Sequence, residues 1–190
     1  MLYAQREYLA LPAINQYWRS CGMEHPAPSV ATRASRASTK TYGRAADVSH
    51  PDLVAFHAYW NAKRGSRPWP ARGDLNPRDL NRALKRIHLY DVVQDGADFH
   101  IRVTGSAMFL GYYPDPTGKL VSEHPEVSLR TPFRSVLTCV LETSAPVYDH
   151  ACPTTDRHLT KREAFSLWLP LGHDKIEQIV AQSVIVRLGY

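Results

Sequence analysis

The sequence predicts an α+β domain built on an antiparallel sheet. Two helix-start signals are followed by apolar residues at helical spacing, and segments with the alternating pattern of strands come directly after them. A further helical stretch then separates this first pair of strands from three later ones. Because runs of strands surround a helical insert instead of alternating with single helices, an antiparallel sheet is favoured over a parallel one.

Composition and charge narrow the class of protein. The chain has 190 residues, of which 44% are hydrophobic and 22% charged, as expected for a globular protein with one ordinary domain. Residues 1–48 carry three of the five surplus positive charges, so the remainder is nearly balanced. A near-neutral domain does not predict a groove for phosphates, and nucleic acid is not an expected partner.

Cysteine usage and hydropathy indicate the cellular setting. The three cysteines, at positions 21, 139 and 152, are too few and too scattered for a disulfide framework. No apolar run has the length of a membrane span, and the charged N-terminus does not resemble a signal peptide. These observations predict a cytoplasmic protein without a membrane anchor.

The first 48 residues are predicted to be an extension, and residues 49–190 the folded domain. The stretch Ser29–Asp47 is rich in Ser, Thr, Ala and Arg and has no periodic apolar residues. Such a composition buries too little surface to offset the entropy of ordering, which predicts a largely mobile basic linker. For Leu2–Trp18, a short helix and a misassigned start both remain open.

Limited proteolysis checks this division of the chain. Because exposed segments without a packed face are cut first, protease is expected to cleave within Ser29–Asp47 and leave a stable fragment beginning near His50. Mass spectrometry of the fragments identifies the cuts. Equal resistance of this stretch and of the domain would contradict the prediction.

Two helices are predicted before the first strand. The first begins at "SHPD", where Ser49 is the expected N-cap and Pro51 lies in the first turn. Its apolar stripe consists of Leu53, Phe56, His57 and Trp60. The second begins at Asn76, a capping residue followed by a proline whose fixed φ suits a first turn.

The strands and the later helix follow. "RIHLYDVV" and "FHIRVTG" flank an Asp-Gly turn and predict a hairpin, with Phe99, Ile101 and Val103 on one face and Thr104 on the other. A helix is predicted to open at Thr131-Pro132. Three further strands are predicted at "APVYDHAC", "REAFSLWLPL" and "KIEQIVAQSVIVRL".

Five short motifs accompany this order of elements. They are Tyr59-Trp60, Arg64-Gly65, "PARGDLNP" from Pro70 to Pro77, Arg102-Val103-Thr104-Gly105-Ser106, and Thr117-Gly118-Lys119-Leu120. In this order, the chain from about Leu53 to Arg187 resembles a bacterial family of stand-alone PAS-like proteins. Ser106 stands where the family usually has Thr, which is a mild chemical change.

The resemblance implies both fold and function. It implies a PAS-like five-stranded antiparallel sheet with helices on one face, preceded by an N-terminal helix. It also implies a non-enzymatic sensory or docking domain without its own effector, which signals through a protein partner; the resemblance leaves any cofactor open. Because a helix flanking a PAS core packs on its own sheet or on a second subunit, the stripe of the first helix predicts a homodimer.

The segment "PARGDLNPRDL" is interpreted as the joint between the first helix and the PAS-like core. Its prolines stiffen the approach, and an ion pair between Arg72 and Asp74 is expected to fix it. The functional alternative is an anion site that uses Arg72 and Arg78.

A pocket for a small apolar ligand is predicted between the sheet and the helix that crosses it, because none of the inward positions is charged. The candidate ligand-binding residues are Phe99, Ile101, Met108, Tyr112, Phe133, Leu137, Val140, Phe165 and Leu167, with Val103 and Leu169 on the same face. A solid core, and hence a docking module, is the alternative.

A second class of function remains open, that of a small metal-binding protein or enzyme. His150 and Cys152 are two residues apart and would share one face of a strand, and His158 could return across a hairpin. The spacing matches no common zinc pattern, so no metal is predicted.

Overall fold

The computed structural model describes residues 43–44, 48–108, 114–155 and 161–187. Within these ranges the helices are α1 (Pro51–Arg64), α2 (Pro77–Leu80) and α3 (Val127–Thr143). The strands are β1 (Gly43–Arg44), β2 (Ile87–Val93), β3 (Asp98–Thr104), β4 (Val147–Thr155), β5 (Lys161–Gly172) and β6 (Ile176–Arg187). Short 3-10 turns cover Arg72–Asp74, Asn81–Arg86, Gln94–Gly96, Ser106–Met108 and Val121–Glu123.

All neighbouring strands are antiparallel, in the order β1-β4-β5-β6-β2-β3. Five long strands form the open sheet, and the two residues of β1 add a short edge beside β4. This is the predicted PAS-like α+β fold. Gly43 and Arg44 belong to the stretch predicted as linker, so the sheet takes in two residues that the sequence-based boundary had assigned to the extension.

Helix α1 covers one face of the sheet. Its N-cap is His50, whose Nδ1 accepts from the Asp52 amide at 3.2 Å, and not Ser49 as predicted. Leu53, Phe56 and Trp60 are buried against apolar residues of β5 and β6, and the Trp60 indole donates to the Pro170 carbonyl at 3.0 Å. The stripe that was expected to join two subunits is therefore occupied by the protein's own sheet.

Helix α3 covers the opposite face. It begins at Val127, four residues before the predicted start, because the Glu126 carboxylate accepts from the Ser128 amide at 3.3 Å and caps the helix there. Pro132 consequently lies inside the helix. The buried side chains of α3 pack on one side of the sheet with Tyr90, Phe99 and Trp168. We call this side the α3 face and the other side the α1 face.

The prediction that Phe165, Leu167 and Leu169 lie on the α3 face is wrong. All three pack on the α1 face, and Trp168 is the β5 residue that points toward α3. Successive side chains of a strand point to opposite faces of the sheet. Assigning one residue to the wrong face therefore places every second residue of the strand on the wrong face as well. Both faces of β5 are covered by a helix, so side chains on both of its faces are buried.

A β-bulge reverses the predicted side-chain directions at the end of β3. Tyr90 pairs with Ile101, but Leu89 pairs with Val103 and His88 with Thr104, so the register shifts by one residue between Leu89 and Tyr90. Phe99 and Ile101 lie on the α3 face as predicted. Beyond the bulge Val103 is exposed and Thr104 turns toward α3, the reverse of the prediction.

The joint segment is fixed by contacts other than the predicted ion pair. Asp74 accepts from Arg67 and from the Ala71 amide, at 2.7 Å and 2.8 Å, whereas Arg72 donates to the Leu75 carbonyl. The Pro70 carbonyl accepts from the Gly172 amide at 3.0 Å, which ties the segment to the end of β5. Asn76 caps α2 as predicted, accepting from the Arg78 amide at 3.0 Å.

Gly105 in the motif after β3 has a packing reason. A Cβ at this position would lie 2.4 Å from the Lys85 carbonyl oxygen, a backbone atom that cannot swing away. Gly105→Ala is therefore expected to lower the free energy of unfolding by about 1–3 kcal/mol, as overpacking does elsewhere. Urea unfolding measures the loss. Gly73→Ala, where a Cβ meets no atom within 4 Å, is the matched control.

Candidate functional site

Three aromatic rings fill the centre of the α3 face. The ring of Tyr90 lies 5.7 Å from that of Trp168 and 6.4 Å from that of Phe133, and the latter two are 6.0 Å apart. These separations are typical of tilted aromatic packing. Most of the space that the sequence analysis assigned to a ligand is therefore occupied by the protein's own side chains.

A small cavity of about 50 Å³ remains beside this cluster. Its lining comes from β2, β3, the turn after β3, the approach to α3, and α3 itself. The residues are His88, Tyr90, Ile101, Thr104, Met108, Pro116, His124, Leu129 and Phe133. Since about 10–15 Å³ of such space holds one water molecule, the cavity has room for a few waters or for a ligand of a few heavy atoms.

Of the predicted ligand-binding residues, the structure brings Ile101, Met108 and Phe133 together around this cavity. Phe99, Leu137 and Val140 lie in the same core but do not line it. Phe165 and Leu167 are on the opposite face. Tyr112 lies outside the described residues.

His88 and Thr104 form the polar end of the cavity. They are direct partners across β2 and β3, and both side chains face α3. Nδ1 of His88 and Oγ1 of Thr104 are buried, and neither has a hydrogen-bond partner among the described residues. A buried polar atom without a partner costs free energy, so this pair provides the cavity with two unused hydrogen-bonding positions.

The imidazole of His88 is neutral at physiological pH. It is only 4% exposed, and burial lowers its pKa to about 4 because the charged form cannot be hydrated there. One ring nitrogen of a neutral imidazole donates and the other accepts, so His88 can offer either role to a bound molecule. The ring is held in place by stacking on Tyr90, at a centroid distance of 6.3 Å.

His124 closes the cavity on the side of α3. Its Nδ1 lies 3.1 Å from both the amide nitrogen and the carbonyl oxygen of Glu126, so it accepts from the first or donates to the second according to its tautomer. The ring contacts Phe133 edge-on at 5.6 Å, and Arg130 donates to the His124 carbonyl at 2.8 Å. Burial is the main cause that lowers the pKa of His124. This histidine is thus fixed by the backbone at the start of α3.

Sequence reasoning missed His88 and Thr104. The signal that could have found His88 is its spacing of two residues from Tyr90, which places both on one face of β2. Thr104 could not be assigned in the same way, because its face depends on the bulge.

Of the three residues of the alternative metal site, the structure describes the side chain of His150. The His150 ring stacks on Phe165 at 4.5 Å, and its Nε2 lies 3.7 Å from a Glu163 carboxylate oxygen. In the part of the chain that the structure describes, no three metal-ligating side chains come together. The side chain of Cys152 and the whole of His158 lie outside that part.

In the described ranges, no helix combines the length and the apolarity that crossing a bilayer requires.

Comparison with known proteins agrees with the fold. The family model described as PAS domain matches residues 48–186, which include the long strands and α1 to α3. No curated protein and no solved structure matches the chain. PAS domains are sensory and signalling modules and are generally not enzymes. Because this family model matches most of its length, the chain belongs to the PAS domain family.

Proposed function

We propose that this protein is a sensory PAS domain whose input is a small neutral molecule bound between His88 and Thr104 and whose output passes through contact with a protein partner. The observation that carries the proposal is a pair of buried polar atoms, without partners among the described residues, at one end of a cavity that is lined mainly by apolar side chains. Ligand sites are typically of this kind, with apolar walls and a few polar groups that fix orientation.

The cavity limits the ligand to a neutral molecule of a few heavy atoms. A volume of about 50 Å³ is far below what a flavin or a haem requires. An ion would lose its hydration without meeting an opposite charge, since His88 is neutral and its neighbours Thr104 and Ile101 carry none. A molecule with one donor and one acceptor satisfies both unpaired atoms.

Titration with formamide tests the proposal. Formamide has three heavy atoms and carries a donor and an acceptor, whereas formate has the same size and a negative charge. In ¹H–¹⁵N NMR spectra, formamide is expected to shift the amides of β2 and β3 around His88 and Thr104 saturably, and formate is not. Thr104→Val removes the hydroxyl at nearly constant volume and is expected to weaken the formamide response at least tenfold. An unchanged response in this variant contradicts the assignment.

A docking module without a ligand is the second candidate. Leu84 and Val103 are each 42% exposed and line the same shallow groove, next to Lys85 and Arg86. Apolar residues exposed side by side are typical of contact surfaces. Absence of any saturable ligand response, together with partner capture that depends on Leu84, favours this candidate.

A further inference from the structure

A second concave region lies on the α1 face, away from the cavity beneath α3. α1, α2 and the turn Asn81–Arg86 enclose an open groove of about 340 Å³ over strand β6. This volume falls within the usual range of small-molecule sites, roughly 300–1,000 Å³. None of the residues that line it lines the cavity under α3, so the two sites are independent.

Two residues that line the groove, Gln182 and Arg86, each carry a buried polar atom without a partner among the described residues. Gln182 in the middle of β6 is 1% exposed, and its side-chain Oε1 has no hydrogen-bond partner among the residues described. Arg86 donates through Nη1 to Asp52 at 2.7 Å, which fixes the guanidinium, yet its buried Nε also lacks a partner within the described ranges. Native proteins rarely leave such atoms unsatisfied.

The walls of the groove are largely apolar, and its two carboxylates are paired. Ala55, Phe56, Leu80 and Ala83 supply the apolar surface. The two rim carboxylates are each paired, Asp52 with Arg86 at 2.7 Å and Asp79 with Lys63 at 3.2 Å. A charged ligand would have to compete with these ion pairs, whereas a neutral ligand leaves them intact.

We propose that this groove binds a small neutral molecule that has an apolar body and a carboxamide head. The N–H of the amide donates to Oε1 of Gln182, and its carbonyl oxygen accepts from Nε of Arg86, so that both orphan atoms gain the partner they need. The apolar body packs on Phe56 and Leu80. A carboxamide is a neutral group that carries a donor and an acceptor side by side.

Benzamide is a direct probe, with benzoate and toluene as comparison compounds. Saturable shifts of the amides around Gln182 and of the Gln182 side-chain N–H groups are expected for benzamide in ¹H–¹⁵N spectra. Benzoate lacks the donor and is charged, and toluene lacks both polar atoms, so each is expected to bind at least tenfold more weakly. Equal affinity for all three, or no saturable shift up to the solubility limit of benzamide, overturns the proposal.

Two variants separate the groove from other surfaces. Ala55→Trp fills the groove from the exposed side of α1 and is expected to abolish benzamide binding, whereas Ala58→Trp, at an exposed position of the same helix outside the groove, is expected to leave it unchanged. Gln182→Met keeps the length of the side chain and is expected to weaken binding at least tenfold. Binding that survives in Ala55→Trp contradicts the site. Thr104→Val leaves benzamide binding as in the wild type, so the outcome does not depend on the proposed sensory cavity.

Discussion

Phe56→Asp is expected to unfold the domain rather than to separate two subunits. Phe56 is 3% exposed and packs between Leu53, Trp60 and the apolar residues of β5 and β6. Loss of the ring costs about 3–5 kcal/mol, and an unpaired carboxylate in the same place adds several kcal/mol more. Together they approach the whole stability of a typical domain, about 5–15 kcal/mol. Circular dichroism at 25 °C is expected to show loss of the native signal.

Ala58→Asp is the matched control for this prediction. Ala58 lies on the exposed side of α1, where a charge is expected to change the free energy of unfolding by no more than about 0.5 kcal/mol. Sedimentation of the wild type tests the predicted homodimer separately. Such a dimer would have to use a surface other than the buried stripe of α1. A Phe56→Asp protein that stays folded and changes only from dimer to monomer contradicts the intramolecular packing of α1.

The sequence predicted α1, α2 and the hairpin because their signals are local. Asn76 caps α2 within two residues, and the turn between β2 and β3 contains the predicted Asp-Gly pair with positive φ at Asp95 and Gly96. Such interactions depend on neighbours in the chain and not on the fold. The start of α3 was misplaced because Pro132 is a typical first-turn residue, yet the Glu126 carboxylate caps the helix earlier.

The face of β5 could not be predicted from its pattern. Phe165, Leu167 and Leu169 alternate with Ser166, Trp168 and Pro170, and both sets are compatible with burial. Which set meets α3 depends on the pairing of β5 with β4 and β6, which is a tertiary property. This single choice placed Phe165 and Leu167 among the predicted ligand residues and left Trp168 out.

The polar end of the candidate site depended on one extra residue in β3. Without the bulge, His88 would face Val103, and the cavity would have an apolar partner where it has the Thr104 hydroxyl. The structure shows no local signal in the hairpin turn for this shift, since the register is regular from Val93–Asp98 to Tyr90–Ile101. The sensory hypothesis therefore rests on a feature that only the three-dimensional pairing reveals.

Acid is expected to destabilise the protein through His88. Its pKa is about 4 in the folded state and 6.5 in the unfolded chain, so the unfolded state binds more protons between these values. The stabilising contribution is complete above pH 6.5 and is lost as the pH falls through about 4. Between pH 7 and pH 4.5 the loss amounts to about 2–3 kcal/mol for this group alone. Urea unfolding at the two pH values measures it.

The variant His88→Leu isolates this contribution, because it removes the titrating ring and leaves His57 and His124 in place, whose pKa values burial also lowers. Asp149 provides a control of opposite sign. Burial raises its pKa from 3.8 to about 6, so the folded state binds the extra proton between these values. Its stabilising contribution is therefore complete below pH 3.8 and is lost as the pH rises through about 6. Relative to the wild type, His88→Leu is expected to reduce the loss of stability on acidification, and Asp149→Asn to increase it. If the two variants shift the pH dependence in the same direction, or if His88→Leu leaves it unchanged, His88 is not buried as a neutral ring and the cavity lacks the polar end on which ligand recognition depends.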